Sequence, residues 1–275
     1  MNRTTLVATC LVLAHAFSRP TFRRHGGRRN LAARSASDGG AAAPLTFFTA
    51  DMCPYAQRCW IALEELGVPY ERVPIDLRDK PQWFLDDVNP RGKVPAVRDA
   101  ASGLVVFESH VVNEFLVERF GAERAAGAAL MPPAALDRAR VRLWNEHLDS
   151  QLAPAHFTLL MNKNATDEPA KRAALDAALQ HYEDHLVGPY LCGDAFTLAD
   201  VAALPFFERL TFSLRHFKQY DAIDARRFPR TAAWLERAFA RPSFVTTKRP
   251  EESLVKLYET FLRVDYSFGG LNRNS

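Results

Sequence analysis

The 275-residue sequence predicts a small α/β domain followed by an all-helical domain. Three observations carry this expectation. Between residues 44 and 121 short strand-like runs alternate with helical patterns. Residues 121–133 are a stretch rich in alanine, glycine and proline that reads as a linker. Beyond it, over residues 131–265, the apolar spacing is helical throughout.

The first domain can be read element by element. Leu45-Thr46-Phe47-Phe48-Thr49 is a short strand. Cys53-Pro54 opens a helix that runs to about Leu66, and Gly67 stops it. Its apolar face is Cys59, Ala62, Leu63 and Leu66, at the i, i+3, i+4, i+7 spacing. Tyr70 to Ile75 is a second strand, parallel to the first through this helix. Residues 81–88 form a short irregular helix. Residues 94–97 and 104–107 are two further strands flanking a turn at Ser102-Gly103. A helix then starts near Ser109 and carries Val112, Phe115 and Leu116 inward. The order βαβ–α–ββ–α is the thioredoxin-like arrangement.

In the second domain Val141, Trp144, Leu148 and Leu152 make one apolar stripe, and Leu175, Leu179, Tyr182 and Leu186 another. Thr197-Leu198-Ala199-Asp200 is a capping box, with Phe196 and Val201 at the staple positions, opening a helix to about Leu214. Residues 228–240 and 250–262 are further helices. The chain contains no internal repeat and no nucleotide-binding glycine loop.

Residues 1–43 do not read as fold. Arg3 precedes an apolar run, Leu6 to Ala16, of signal-peptide length and too short to span a bilayer. An arginine-, serine-, alanine- and glycine-rich stretch of transit-peptide composition follows. The join, Ala14-His15-Ala16-Phe17-Ser18, resembles the bipartite presequence of proteins bound for plastids with extra membranes. A secretory signal followed by a linker is the simpler alternative, but it leaves the basic segment unexplained. Residues 1–40 carry seven arginines and one acid, so the remainder holds 28 basic and 31 acidic residues. The body is mildly acidic and gives no general reason to bind nucleic acid. The four cysteines, Cys10, Cys53, Cys59 and Cys192, are too few and too irregularly spaced for a disulfide framework or a zinc site.

Cys53 is the sharpest chemical feature. It follows a strand and sits at a helix N-terminus, with Pro54 at the first helical position, where a missing N–H costs nothing. Free N–H groups and the helix dipole favour a thiolate there, which predicts a depressed pKa. The residue three places on is Ala56, so a mixed disulfide at Cys53 has no local partner to resolve it. An external thiol must do so, and glutathione is the obvious one. Cys59 lies on the apolar face of the helix and reads as core.

At this point a family resemblance becomes specific. Phe48-Thr49-Ala50-Asp51-Met52-Cys53-Pro54-Tyr55-Ala56-Gln57-Arg58 resembles the start of omega- and lambda-class glutathione transferases. So do Asp79-Lys80-Pro81-Gln82-Trp83-Phe84, Asn89-Pro90-Arg91-Gly92-Lys93-Val94-Pro95 and Glu108-Ser109. In the helical half Thr197-Leu198-Ala199-Asp200 and Phe207-Glu208-Arg209-Leu210 match too, so the resemblance covers residues 44–262. It implies the glutathione transferase fold and the family's glutathione contacts. The family holds the proline at Pro95 in the cis form, which frees the backbone of Val94 to pair with the cysteinyl part of glutathione. Ser109 and the first helical N–H groups suit the γ-glutamyl carboxylate, and Ser109 also reads as a plain N-cap. Glu108 suits the ammonium. Lys80 matches the lysine near the glycyl carboxylate, with Lys93 a second candidate.

The reaction implied is thiol–disulfide exchange through Cys53 on a small oxidised or glutathionylated substrate, with dehydroascorbate reduction as the small-molecule version and glutathione as co-substrate. A homodimer is the family expectation. The rival reading is a non-enzymatic glutathione-binding or membrane-associating protein like the chloride intracellular channel proteins, which share the fold and a Cys-Pro motif. Against membrane insertion, no stretch reaches 18 apolar residues. His181 and His185 have metal-ligand spacing, but Glu183-Asp184 between them suggests a solvated face, and no metal is expected. Arg226, Arg227 and Arg230 read as surface.

Overall fold

The computed structural model describes residues 43–123 and 130–264. The presequence assigned to residues 1–43 lies outside them except for its last residue, as does part of the linker.

Four strands, β1 (Leu45–Thr49), β2 (Tyr70–Pro74), β3 (Ala96–Asp99) and β4 (Val105–Phe107), form one sheet in the order β2-β1-β3-β4. β1 is parallel to β2 and antiparallel to β3, and β3 is antiparallel to β4. Helix α1 (Pro54–Leu66) makes the crossover from β1 to β2. Gly67 closes it in the left-handed conformation at φ 59°, the cap for which glycine has no Cβ penalty. The period-2 alternation of β1 divides the core. Leu45 and Phe47 join the large cluster shared with α1 and α3 (Ser109–Phe120). Phe48 joins a smaller one with Ala56, Ile75, Val94 and Phe84, the last on α2 (Gln82–Asp87).

The third strand begins at Ala96, two residues later than the sequence suggests. Pro95 has no N–H for the ladder, and the Val94–Pro95 peptide is cis. Val112 and Leu116 are fully buried, whereas Phe115 is only partly so.

The helical half contains α4 (Ala135–His147), a π turn (Leu148–Leu152), α5 (Ala153–Leu160), α6 (Glu168–His185), α7 (Leu198–Lys218), α8 (Pro229–Phe239), α9 (Pro242–Thr247) and α10 (Glu251–Arg263). Both expected apolar stripes are buried. The capping box forms: the Thr197 side chain accepts from the Ala199 N–H, and the Asp200 carboxylate accepts from the Thr197 N–H at 2.8 Å. Asp200 also takes the Trp234 indole N–H at 2.9 Å, which ties the start of α7 to α8. α7 is buried nearly all round and lies against α1, as expected of a helix whose apolar residues are not confined to one stripe. It runs a turn past the expected end, with Arg215, His216 and Lys218 complementing its C-terminal dipole. The short helix α9 was not legible in the apolar pattern. Among the described residues no helix is long and apolar enough to cross a membrane.

Candidate active site

Cys53 is the N-cap of α1, with extended backbone angles, and Pro54 follows at the first helical position. The cysteine is partly exposed, and its Sγ lies 3.9 Å from the carbonyl oxygen of Val94. The thiol therefore faces the backbone beside the cis Val94–Pro95 peptide. The Cys53 N–H donates to the Ala50 carbonyl at 3.0 Å, which closes the loop from β1 into α1. From α7 the buried Arg209 guanidinium grips the same loop. It donates to the Met52 carbonyl at 3.2 Å and to the Gln57 side chain at 2.8 Å.

The expected depression of the Cys53 pKa is not found. Burial is the largest influence and pushes the thiol up. The N–H groups of Ala56 and Tyr55 and the charges of Arg209 and Arg58 pull the other way without reversing it. The helix end supplies the anticipated donors, but burial of the thiol outweighs them.

A second buried arginine lies on α1, five residues beyond Cys53. Arg58 is fully buried and its Nε donates to the Ala202 carbonyl of α7 at 3.0 Å. Its Nη1 donates to the Ser109 hydroxyl at 3.2 Å, and its Nη2 pairs with Asp149 at 2.5 Å. His110 completes the cluster, with Nε2 2.9 Å from Asp149. Burial would raise the Asp149 carboxyl, but hydrogen bonds from His110 and Arg58 and their charges hold it at about 2. Asp149 reaches inward because it lies in the π turn, whose extra residue shifts the helix face.

Ser109 is not an N-cap. α3 begins at Ser109 itself, and the cap position is Glu108, at φ 72°. The Ser109 hydroxyl is turned to Arg58, while the Cys59 Sγ lies 3.4 Å from its carbonyl. Glu108 is exposed and pairs with Arg91 at 2.8 Å, so the carboxylate suited to an ammonium already holds a guanidinium. Lys80 and Lys93 are both exposed. Lys80 folds over Gly92, which has φ 61° and where a Cβ would stand 3.0 Å from the lysine Cδ. The structure thus brings Cys53 and Val94 together and ties Ser109 to Arg58 on the same helix as the thiol. It shows no contact from Lys80 or Glu108 to the thiol. A cleft of about 510 Å³ lined by His110, Glu114, Arg142, Asn145, Glu146, Asp149 and Ser150 adjoins the cluster through His110 and Asp149 but does not include Cys53.

The sequence alone gives Arg58 and Arg209 no role. The available signal was a charge predicted to fall next to Cys59 on the buried side of α1. Asp149 had no comparable signal. Cys59 is core, as read, fully buried with its pKa pushed well up by burial. His181 stacks between His147 and His185, at centroid distances of 4.0 and 4.2 Å. Among the described residues no group of three or more such side chains is arranged to hold a metal. Arg226 and Arg227 pair with Asp224 and Asp176, and Arg230 with the Glu183 and Leu186 carbonyls.

A four-stranded mixed sheet with a cysteine capping its first helix, backed by a helical domain, defines a thioredoxin-fold thiol enzyme of the glutathione transferase type. The comparisons agree. A family model for the glutathione S-transferase N-terminal domain matches residues 52–119, and one for the C-terminal domain matches residues 133–237. The probable glutathione S-transferase DHAR1, cytosolic, of Oryza sativa subsp. japonica is 31% identical over 205 residues, 74% of this chain and 87% of that protein. Glutathione S-transferase DHAR3, chloroplastic, of Arabidopsis thaliana is 27% identical, over 74% of this chain and 71% of that protein. Glutathione transferase Omega 3C from Trametes versicolor matches with a TM-score of 0.71 and 29% identity, over 82% of this chain and 93% of that one. The chain belongs to the glutathione S-transferase family, and within it resembles the cysteine-type members.

Proposed function

We propose that this glutathione transferase is a thiol transferase whose nucleophile is Cys53. The observation that carries the reading is the placement of Cys53 at the N-terminus of α1, facing the Val94 backbone. Cys59 is sealed in the core, and Cys192 lies in the helical domain. The Cys53 thiolate attacks the glutathionyl sulfur of a mixed disulfide, and the substrate thiolate leaves and takes up a proton. A glutathione thiolate then attacks Cys53–S–SG, releasing glutathione disulfide and restoring the Cys53 thiolate. With dehydroascorbate, two glutathiones are oxidised to the disulfide while the substrate gains two electrons and two protons.

In this reading the Val94 backbone pairs with the cysteinyl unit, Ser109 and the first N–H groups of α3 take the γ-glutamyl carboxylate, Glu108 the ammonium and Lys80 the glycyl carboxylate. Pro54 and Pro95 shape the backbone around the thiol. Arg58 strengthens the Ser109 role: by donating to the hydroxyl oxygen it leaves the hydroxyl hydrogen free for the ligand. A homodimer and plastid delivery by residues 1–43 belong to the same proposal. Named relatives include one cytosolic and one chloroplastic protein.

The test is an assay of residues 41–275 with glutathione and hydroxyethyl disulfide, dehydroascorbate or chlorodinitrobenzene. Turnover of the first two that vanishes in Cys53→Ala supports the reading. Conjugation of the third alone, unaffected by Cys53→Ala, sinks it.

A further inference from the structure

Three side-on arginine forks in this fold are filled by carboxylates. The Nε and Nη2 of Arg142 donate to Glu114 at 2.9 and 2.7 Å, and those of Arg241 to Glu65 at 2.8 and 2.7 Å. Arg172 does the same to Glu168 at 3.0 and 2.6 Å. Arg249 departs from the pattern. Its Nε and Nη2 are both buried and neither has an acceptor. Its Cζ lies 4.6 Å from the centre of the Trp60 ring, and the Cζ of Arg72 lies 4.4 Å from the same ring. The Arg72 Nη2 pairs with Asp51, but its Nε is also buried without an acceptor.

Two guanidiniums thus share one indole and hold three buried, unpaired nitrogens. Burial works against the charge on Arg249, and burial together with the Arg249 charge works against that on Arg72. The nearby carboxylates do not relieve Arg249. Asp51 is taken by Arg72, and Glu64 accepts from the Trp60 indole at 3.2 Å and from the Tyr70 hydroxyl at 2.6 Å. Buried donors of charged groups are ordinarily satisfied, so an orphaned fork needs an explanation.

We propose that Arg249, Arg72 and Trp60 form a binding site for a small oxyanion, the carboxylate or phosphate group of a ligand. The Nε/Nη2 fork matches two oxygens of either group. Arg249 sits half-buried in the short connection between α9 and α10. Trp60 is seven residues after Cys53, about 10 Å along α1 at 1.5 Å per residue. That distance suits the anionic end of an acceptor substrate whose sulfur is at Cys53. This last assignment rests on the Cys53 reading; oxyanion binding does not.

Calorimetric titration of the full chain with inorganic phosphate, and separately with succinate, at fixed ionic strength tests the site. One-to-one saturable binding of at least one anion is expected, weakened at least tenfold in Arg249→Gln and in Arg72→Gln. Asp51→Asn should tighten it by freeing Arg72, an opposite sign that misfolding cannot mimic. Cys53→Ser should leave it unchanged, which separates this site from the thiol chemistry. Tighter phosphate binding identifies a phosphate ester as the ligand group; tighter succinate binding identifies a carboxylate. Absence of saturable binding by both anions, or full retention in Arg249→Gln, overturns the proposal.

Discussion

The Arg58 guanidinium on α1 and the Asp149 carboxylate in the π turn meet at 2.5 Å, joining the thioredoxin-like half to the helical half. Arg58 has no exposed surface, so removing its partner leaves a buried charge with neutral acceptors only. Asp149→Asn should therefore destabilise the fold by about 2 kcal/mol, below the usual cost for a fully buried pair because Asp149 is partly exposed. It should also raise KM for glutathione more than it lowers kcat, since Arg58 orients Ser109. Urea unfolding and steady-state kinetics check both; an unchanged KM with the stability loss present would make the cluster purely structural.

Cys53→Ala should abolish thiol transfer while urea unfolding stays close to the parent. Cys53→Ser should lose reductase activity and gain weak conjugation of chlorodinitrobenzene, because a hydroxyl stabilises the glutathione thiolate but forms no disulfide with it. An inactive Cys59→Ala alongside an active Cys53→Ala would move the nucleophile.

Gly92→Ala is expected to disturb the site from outside it. The residue has φ 61°, and an added Cβ would stand 3.0 Å from both the Leu85 Cδ2 and the Lys80 Cδ. The left-handed backbone and the crowding together should cost about 1–2 kcal/mol. If Lys80 serves the glycyl carboxylate, KM for glutathione rises several-fold. A thermal melt and KM measured on the same preparation separate the two effects.

These tests mark where the sequence was readable. β1, α1 and its Gly67 stop follow directly from local patterns, because alternation, a proline at N1 and a left-handed glycine are short-range signals. The Thr197–Asp200 box was legible for the same reason. Asp149 was not, because a π turn changes the phase of a helix without changing its composition. The helix start at Ser109 was read as a cap because Ser is a good one, whereas Arg58, 51 positions away, claims its hydroxyl. The direction of the Cys53 shift was missed for a related reason. The helix end is written locally, but the burial that overrides it comes from the folded surroundings.

Acid should unfold the helical domain through His156. Its ring is buried, with Nε2 2.8 Å from the Ser213 hydroxyl, and burial followed by the Arg209 charge lowers its pKa to about 3. In the unfolded chain it titrates near about 6.5. The folded state therefore binds fewer protons between those values, so stability is full above pH ~6.5 and falls as the pH drops towards 3. Unfolding midpoints in urea at pH 7.5, 6 and 5 should decline, and His156→Gln should flatten the decline. His181, lowered to about 4 by burial and by His147 and His185, adds to the same trend.

The Cys53 thiol sets the last expectation. Burial raises its pKa, while the Ala56 and Tyr55 N–H groups, Arg209 and Arg58 lower it and lose. In the ligand-free protein, iodoacetamide should label Cys53 with a midpoint above the ordinary value of about 8.5, not near pH 6. Arg209→Met removes a charge that favours the thiolate, so the midpoint should rise further. This variant also frees the Met52 carbonyl, so the loop must be shown intact by an unchanged far-ultraviolet spectrum and melt. The sign is the same for stability: a raised thiol pKa favours the fold below about 8.5 and is lost as the pH climbs through the folded value. At neutral pH the free enzyme is then mostly thiol, and its rate should increase with pH up to the Cys53 midpoint. A labelling midpoint below 8 in the parent protein would mean that the helix N-terminus outweighs burial after all.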